Sequence, residues 1–203
     1  KIESTPVVAM AGRLHRYEGW SHDQVVWPVR LMSAIGASTL IVSNAAGGLN
    51  PKLKVGDIVI IRDHINRIDG TFPSPPVEPS PGLMRRGNLY DPDLCQVALR
   101  VGVEHGFDTF EGTYLATLGP NYETRSEYRM MRRFGADVAG MSTVPEVLAA
   151  LDEKMRILGI SMVSNVANPD SATSTDHEDV LEAGRAAETK MESSVRAVLR
   201  EEC

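Results

Sequence analysis

Two cysteines in 203 residues, Cys95 and Cys203, are too few for a disulfide framework, and no CxxC pair offers a metal knuckle. A reducing, cytoplasmic home is the plain inference. No apolar run approaches the ~18 residues that span a bilayer. No signal peptide is visible in a chain that starts at Lys1 rather than Met. Basic residues are the minority charge: 21 Lys and Arg against 27 Asp and Glu give a formal net charge of −6. That excludes an extended nucleic-acid surface, which demands clustered Lys and Arg. A small anion is still within reach of one local Arg. Repeats, coiled-coil heptads and low-complexity segments are also missing. What remains, 42% hydrophobic and 24% charged, suits one globular domain with a sizeable core.

The chain is organised around Gly140-Met141-Ser142-Thr143-Val144-Pro145-Glu146. The apolar strand candidate Ala136–Ala139 leads into it, and Pro145 suits the first turn of a helix, where a missing N–H costs nothing. Ser142 and Thr143 are placed to cap that helix and leave backbone N–H groups for an anion. The alternative is an ordinary strand–helix junction, and the rest of the chain decides between them.

Pro6–Met10 reads as a strand entering Arg13, His15 and Tyr17, which share one face in extended backbone. They form either a binding edge or an exposed polar strand end. Ser21 and Gln24 have capping-box spacing and start a helix to Ile35, stopped by Gly36. Ala37–Ser43 is a buried strand candidate ending in Asn44-Ala45-Ala46-Gly47-Gly48, where small residues allow close approach to the backbone. No GxGxxG occurs and no helical pattern follows, so a dinucleotide fold fits badly. The next strand, Gly56–Arg62, belongs to an extended or barrel-like sheet and ends at Asp63-His64; His64 reads as a structural group. Five prolines between residues 70 and 82 mark a surface loop.

A helix is expected over Asp91–Gly106 and a strand over Gly112–Leu118, followed by Gly119-Pro120-Asn121-Tyr122-Glu123-Thr124. Thr124 with Glu127 caps a helix through Phe134, leaving Glu123 at the mouth of the sheet as a ligand group or a solvated carboxylate. A helix follows from Val144 to about Leu151, then a buried strand, Arg156–Ser164, ending at Asn165. The polar loop after it gives way to a helix capped by Thr175 or Asp176 and running to about Arg200. His177 lies in its first turn, as a ligand group or a partly exposed helix-start histidine. Strands alternate with helices, and polar groups recur past strand ends, where α/β sheets bind ligands.

Six segments in register resemble the trimeric purine nucleoside phosphorylase family: Gly12–Gly19, Asn44–Pro51, Gly56-Asp57 with Arg62–Asn66, Glu111–Tyr114, Gly119–Thr124 and Gly140–Glu146. The resemblance implies a single α/β domain over residues 1–203, with a central mixed, partly barrel-like sheet flanked by helices. It implies a pentosyltransferase that splits purine nucleosides with phosphate, giving free purine and pentose 1-phosphate, as a homotrimer with no metal or organic cofactor. Arg13, His15, Ala45 (through its N–H) and Ser142 would hold phosphate. Tyr17, Met141 and His177 would contact the sugar. Tyr122, Glu123 and Asn165 would hold the base, with Ala139 and Gly140 lining its pocket. Asn165, Glu123 and His15 would carry the chemistry.

Methylthioadenosine phosphorylases share the fold and are the nearest alternative. They typically have Asn-Met-Thr in place of Gly140-Met141-Ser142, lack the base-reading Glu and place Asp where Asn165 stands. Glu123 with Asn165 therefore favours inosine and guanosine. The family also has a segment ahead of Lys1 carrying a Gly-Ser-Gly phosphate loop. The expectation is a piece of a longer protein, the alternative a truncated, inactive nucleoside-binding relative. A nucleoside hydrolase is disfavoured, because Arg13, His15 and Ser142 would be surplus to it. An aromatic residue that reaches a neighbouring subunit's sugar site is expected near residues 80–90, where Leu83 stands.

Overall fold

The computed structural model describes residues 1, 2, 4–68, 88–167 and 177–201, with backbone alone for 177–181 and 186. The proline-rich loop, Leu83, the polar loop after Asn165 and the cap of the last helix lie outside the described residues. After a 3₁₀ turn at Arg16–Glu18, the elements are α1 (His22–Ala34), β1 (Thr39–Gly48), β2 (Ile58–Arg67), α2 (Pro92–His105) and β3 (Thr109–Thr117). Then come α3 (Arg125–Arg133), β4 (Val138–Gly140), α4 (Val144–Asp152), β5 (Arg156–Val166) and α5 (His177–Glu201).

The five strands close into a mixed barrel in the order β1-β4-β3-β2-β5. β1 runs parallel to β5, and β3 parallel to both β2 and β4. The two seams β1/β4 and β2/β5 are antiparallel. Closure explains the unbroken apolar runs: Ile58, Val59, Ile60 and Ile61 are all fully buried, as are Leu158, Ile160 and Val163 of β5. One side of these runs fills the barrel and the other is covered by helices, α2 and α5 among them. Each such side chain contributes about 1.5–3 kcal/mol. Among the described residues no helix is long and apolar enough to cross a membrane.

Local signals place the helices as expected. Ser21 and Gln24 form a capping box on α1, and Thr124 and Glu127 one on α3. Asp91 caps α2 and also takes the Arg156 guanidinium, 2.7 Å from Nε, at the start of β5.

Three expectations fail, the first two for a reason of pairing. Pro6–Met10 is not a strand, and Val7, Val8 and Met10 are exposed. Every described barrel strand already has two neighbours, so no edge is left for it. Asn44–Gly48 and Asp63-His64, expected as strand ends, lie inside β1 and β2, because residues 161–166 of β5 and 113–117 of β3 supply ladder partners for them and their neighbours. Tyr17 does not alternate in extended backbone with Arg13 and His15; it lies in the 3₁₀ turn.

The shortest strand, β4, carries two seams with few rungs, and Asp137 immediately before it reinforces both. Its Oδ1 accepts from Asn50 Nδ2 and its Oδ2 from Thr113 N–H, each at 2.9 Å. Its carbonyl accepts from Leu49 and Asn50 N–H. Asp137→Ala is therefore expected to cost about 3–6 kcal/mol, two hydrogen bonds to a charged group. A lowered urea midpoint with an unchanged slope checks it.

Candidate functional site

The polar residues gather where β1, β4 and β5 meet and where β4 turns into α4. Val138-Ala139-Gly140 ends beside Tyr114 of β3, whose hydroxyl stands where a Gly140 Cβ would go. The same hydroxyl accepts from Ser142 N–H at 3.3 Å. Burial pushes the Tyr114 phenol up, with the Ser142 hydrogen bonds pulling partly the other way.

At Thr143 the backbone takes φ 74° and ψ −53°, a conformation rare for a β-branched residue. Val144 N–H closes back onto Ser142 C=O at 2.8 Å, which makes this a γ-turn of the strained, positive-φ kind. Such a turn costs on the order of 1–3 kcal/mol and persists only when its surroundings over-determine it. Here they do. Thr143 is fully buried and its Oγ1 accepts from Asn44 Nδ2 at 2.9 Å. This also corrects the expected cap: Thr143 occupies the N-cap position of α4, but its hydroxyl is committed to Asn44 and makes no capping hydrogen bond.

Arg13 closes the cluster. Its Nη1 donates to Ser142 Oγ at 2.9 Å, and its Nε lies 3.0 Å from Glu146 Oε1 in the first turn of α4. The guanidinium beside the Ser142 hydroxyl makes a place for a tetrahedral oxyanion, whereas the expected backbone donors are spent: Ser142 N–H on the Tyr114 hydroxyl, Val144 N–H on the Ser142 carbonyl, and Pro145 has none. Ala45 follows Asn44 on β1, exposed. It faces a groove of about 750 Å³ between β1 and α5, walled by Met162, Ala187, Met191 and Val195. Of the polar cluster only Asn44 lines that groove, so this hollow is not where the chemistry-bearing groups converge.

His15 and Tyr17 do come together, through the turn rather than a strand. Their rings stack at 4.8 Å, and His15 Nδ1 lies 2.9 Å from Glu18 Oε1. The His15 ring and its backbone N–H hold the Glu18 carboxyl below its usual range. Gly119 passes between Tyr17 and Met141 with no room for a Cβ, which brings that loop, Met141 and the His15 turn side by side.

Asn165 and Glu123 form the other end. In the β1/β5 register Ala46 faces Val163 and Gly47 faces Asn165, so Ser164 is an extra, bulged residue. Ser164 Oγ donates to Asn165 Oδ1 at 3.0 Å, which leaves the amide hydrogens for another acceptor. The amide lies against Gly47, near the Ala139 carbonyl. Glu123 is half-buried rather than solvated. Thr117 Oγ1 donates to its Oε1 at 3.0 Å, and Thr117 also reaches the Gly140 carbonyl. Burial, the Glu123 charge and the hydrogen bond to Glu123 push the Tyr128 phenol up to about 12. Tyr122 is half-exposed on the same loop. His177 begins α5, but its side chain lies outside the described residues.

Asn44, Tyr114, Thr117, Glu146 and Ser164 were not singled out from sequence. Asn44, Tyr114 and Glu146 lie inside the six motifs and could have been found there; Ser164 is exposed only by the bulge.

A family profile described as the phosphorylase superfamily matches residues 1–200. Purine nucleoside phosphorylase 1 of Geobacillus stearothermophilus is 41% identical over 202 residues, covering 98% of this chain and 74% of that protein. A Schistosoma purine nucleoside phosphorylase solved with hypoxanthine superposes with a TM-score of 0.80 at 39% identity, over 92% of this chain and 70% of that one. A Schistosoma mansoni purine nucleoside phosphorylase solved with adenosine gives 0.77 at 37% identity, over 92% and 70%.

Thr143→Val keeps the branched shape and deletes the hydroxyl, leaving the half-buried Asn44 Nδ2 without its acceptor. The expected loss is about 1–3 kcal/mol of stability, read from denaturant midpoints. An unchanged midpoint would mean that the turn does not depend on Asn44.

Proposed function

The chain belongs to the phosphorylase superfamily, among the purine nucleoside phosphorylases, and on that premise we propose that it acts on 6-oxopurine nucleosides such as inosine and guanosine. The premise makes it a pentosyltransferase. The observation that carries the finer reading is the pair at the base end: a Glu123 carboxylate held by Thr117, and an Asn165 amide turned by Ser164.

In this reading phosphate sits on Arg13, Ser142, His15 and the Ala45 N–H, with Glu18 holding His15 Nδ1 and leaving Nε2 for the ligand. Tyr17, Met141 and His177 face the sugar. Tyr122, Ala139 and Gly140 flank the base. A phosphate oxygen attacks C1′ as the C1′–N9 bond breaks. The sugar gains oxocarbenium character, and the bond's electrons leave with the purine. Asn165 Nδ2 donates to the purine N7 as that charge grows, and Glu123 accepts from N1–H. Both contacts strengthen toward the transition state, which is where they accelerate the reaction. The rest is positioning of the nucleophile. An adenine presents no N1–H to Glu123, so a carboxylate there disfavours it. The reading requires no metal and no organic cofactor. A cytoplasmic homotrimer is proposed with it on the resemblance, to be read by light scattering as three times the 22.1 kDa chain mass.

A substrate panel tests this. Purine release from inosine and guanosine should require phosphate. Adenosine and methylthioadenosine should trail by about 100-fold in kcat/KM, the equivalent of one lost charged hydrogen bond. Glu123→Ala should lower kcat/KM for inosine by roughly 10–100-fold, and Asn165→Ala should lower kcat and kcat/KM together by roughly 100-fold or more. Equal turnover of adenosine would overturn the base preference. Preference for methylthioadenosine would favour the alternative phosphorylase.

A further inference from the structure

The phosphate reading employs Arg13 and Ser142 but gives no role to the carboxylate beside them. Glu146 is 7% exposed, and its Oε2 is buried with no hydrogen-bond partner. Burying a carboxylate costs solvation. Placing it next to a site for a phosphate anion adds like-charge repulsion. A group that opposes both folding and the ligand is retained against those costs for something, and the geometry shows what it holds.

Arg13 arrives on a segment without regular secondary structure. Its long side chain is free to choose among many rotamers unless something fixes it. A guanidinium carries five N–H donors in a rigid plane, so fixing two of them fixes the directions of the rest. Glu146 Oε1 lies 3.0 Å from Nε in an ion pair, and Ser142 Oγ takes one Nη1 hydrogen at 2.9 Å. Nη1 also reaches Thr143 Oγ1 at 3.5 Å, and the two hydrogens on Nη2 remain for an anion. Glu146 is itself fixed, because it sits in the first turn of α4, directly after the γ-turn held by Asn44.

We propose that Glu146 is the positioning residue of the phosphate site: it orients the Arg13 guanidinium so that its Nη edge meets the phosphate oxygens, without touching phosphate itself. The proposal rests on the reading of Arg13 and Ser142 as phosphate ligands.

The test uses Glu146→Ala, Glu146→Gln, Arg13→Ala and the Arg13→Ala/Glu146→Ala double variant. Two quantities are measured: steady-state KM for phosphate and for inosine, and direct calorimetric binding of inorganic phosphate. Glu146→Ala should raise the phosphate KM and Kd about tenfold, with kcat at saturating phosphate and the inosine KM within about threefold. Glu146→Gln retains an oxygen beside Nε and should show a smaller rise; it carries the test if the alanine variant does not fold. In the Arg13→Ala background, Glu146→Ala should change phosphate binding by less than about twofold, the non-additivity expected of a residue that acts through another. Parallel rises in both KM values, or full additivity in the double variant, would overturn the proposal and reduce Glu146 to a structural role. A wild-type chain that turns over inosine, with phosphate affinity unchanged in both Glu146 variants, would overturn the proposal alone. A wild-type chain that neither binds phosphate nor needs it would overturn the phosphate-site reading and this proposal with it.

Discussion

Barrel closure passes through three residues. β4 supplies two register pairs to β1 and three to β3, far fewer than the long β1/β5 and β2/β3 seams. A strand so short holds little by its ladder alone. Asp137 makes up the difference by anchoring Asn50 on the β1 side and Thr113 on the β3 side with one carboxylate. Because closure runs through β4, the backbone that leaves it at Gly140 is fixed relative to β1, β3 and β5 together. Ser142, Thr143 and the start of α4 inherit that placement, and the proposed anion site depends on it.

The strain at Thr143 follows from the same constraint. The chain must leave a barrel strand and enter a helix within three residues, while Ser142 N–H stays on the Tyr114 hydroxyl. A single positive-φ residue makes the corner. Its cost is offset by burial and by the Asn44 hydrogen bond, which reaches the turn from the neighbouring strand. A fold in which β1 ended before Asn44, as the small residues there suggest, would have no rigid donor to hold the turn. The extension of β1 through Gly48 and the strained turn therefore belong together.

This explains which features the sequence made legible. Capping boxes at Ser21/Gln24 and Thr124/Glu127 were readable because their partners are three residues apart. Apolar runs such as Ile58–Ile61 declared themselves as buried strands. The fold class and the family were readable from six ordered motifs. Strand ends were not, because whether Ala46 is extended depends on Val163, more than a hundred residues away. The orientation of Asn165 was invisible for a similar reason: it comes from a bulge, a property of two strands in register. Nothing in Thr143-Val144-Pro145 announces a positive φ, and nothing in Glu146 distinguishes a guanidinium partner from a first-turn carboxylate. The stretch around Pro6–Met10 misled because β-branched residues describe a preference that only an available partner strand can realise.

That missing partner bears on the site. A segment with no ladder must be placed by side-chain ties, and few of them are visible ahead of the 3₁₀ turn. Thr5 Oγ1 donates to the Leu199 carbonyl of α5, and Arg13 is held by Ser142 and Glu146. Beyond Arg13, the packing of Tyr17 beside Gly119 adds a third anchor. The residues read as ligand groups are thus also among those that hold their own segment to the barrel. Asn165 is different: it stands on a barrel strand, and its orientation is fixed by neighbours in the same sheet. The proposed site thus combines a rigid base end with a phosphate end whose geometry is assembled from tertiary contacts. On the proposed reading, a single carboxylate in the first turn of α4 governs phosphate binding because the guanidinium it holds has no secondary structure of its own to fix it.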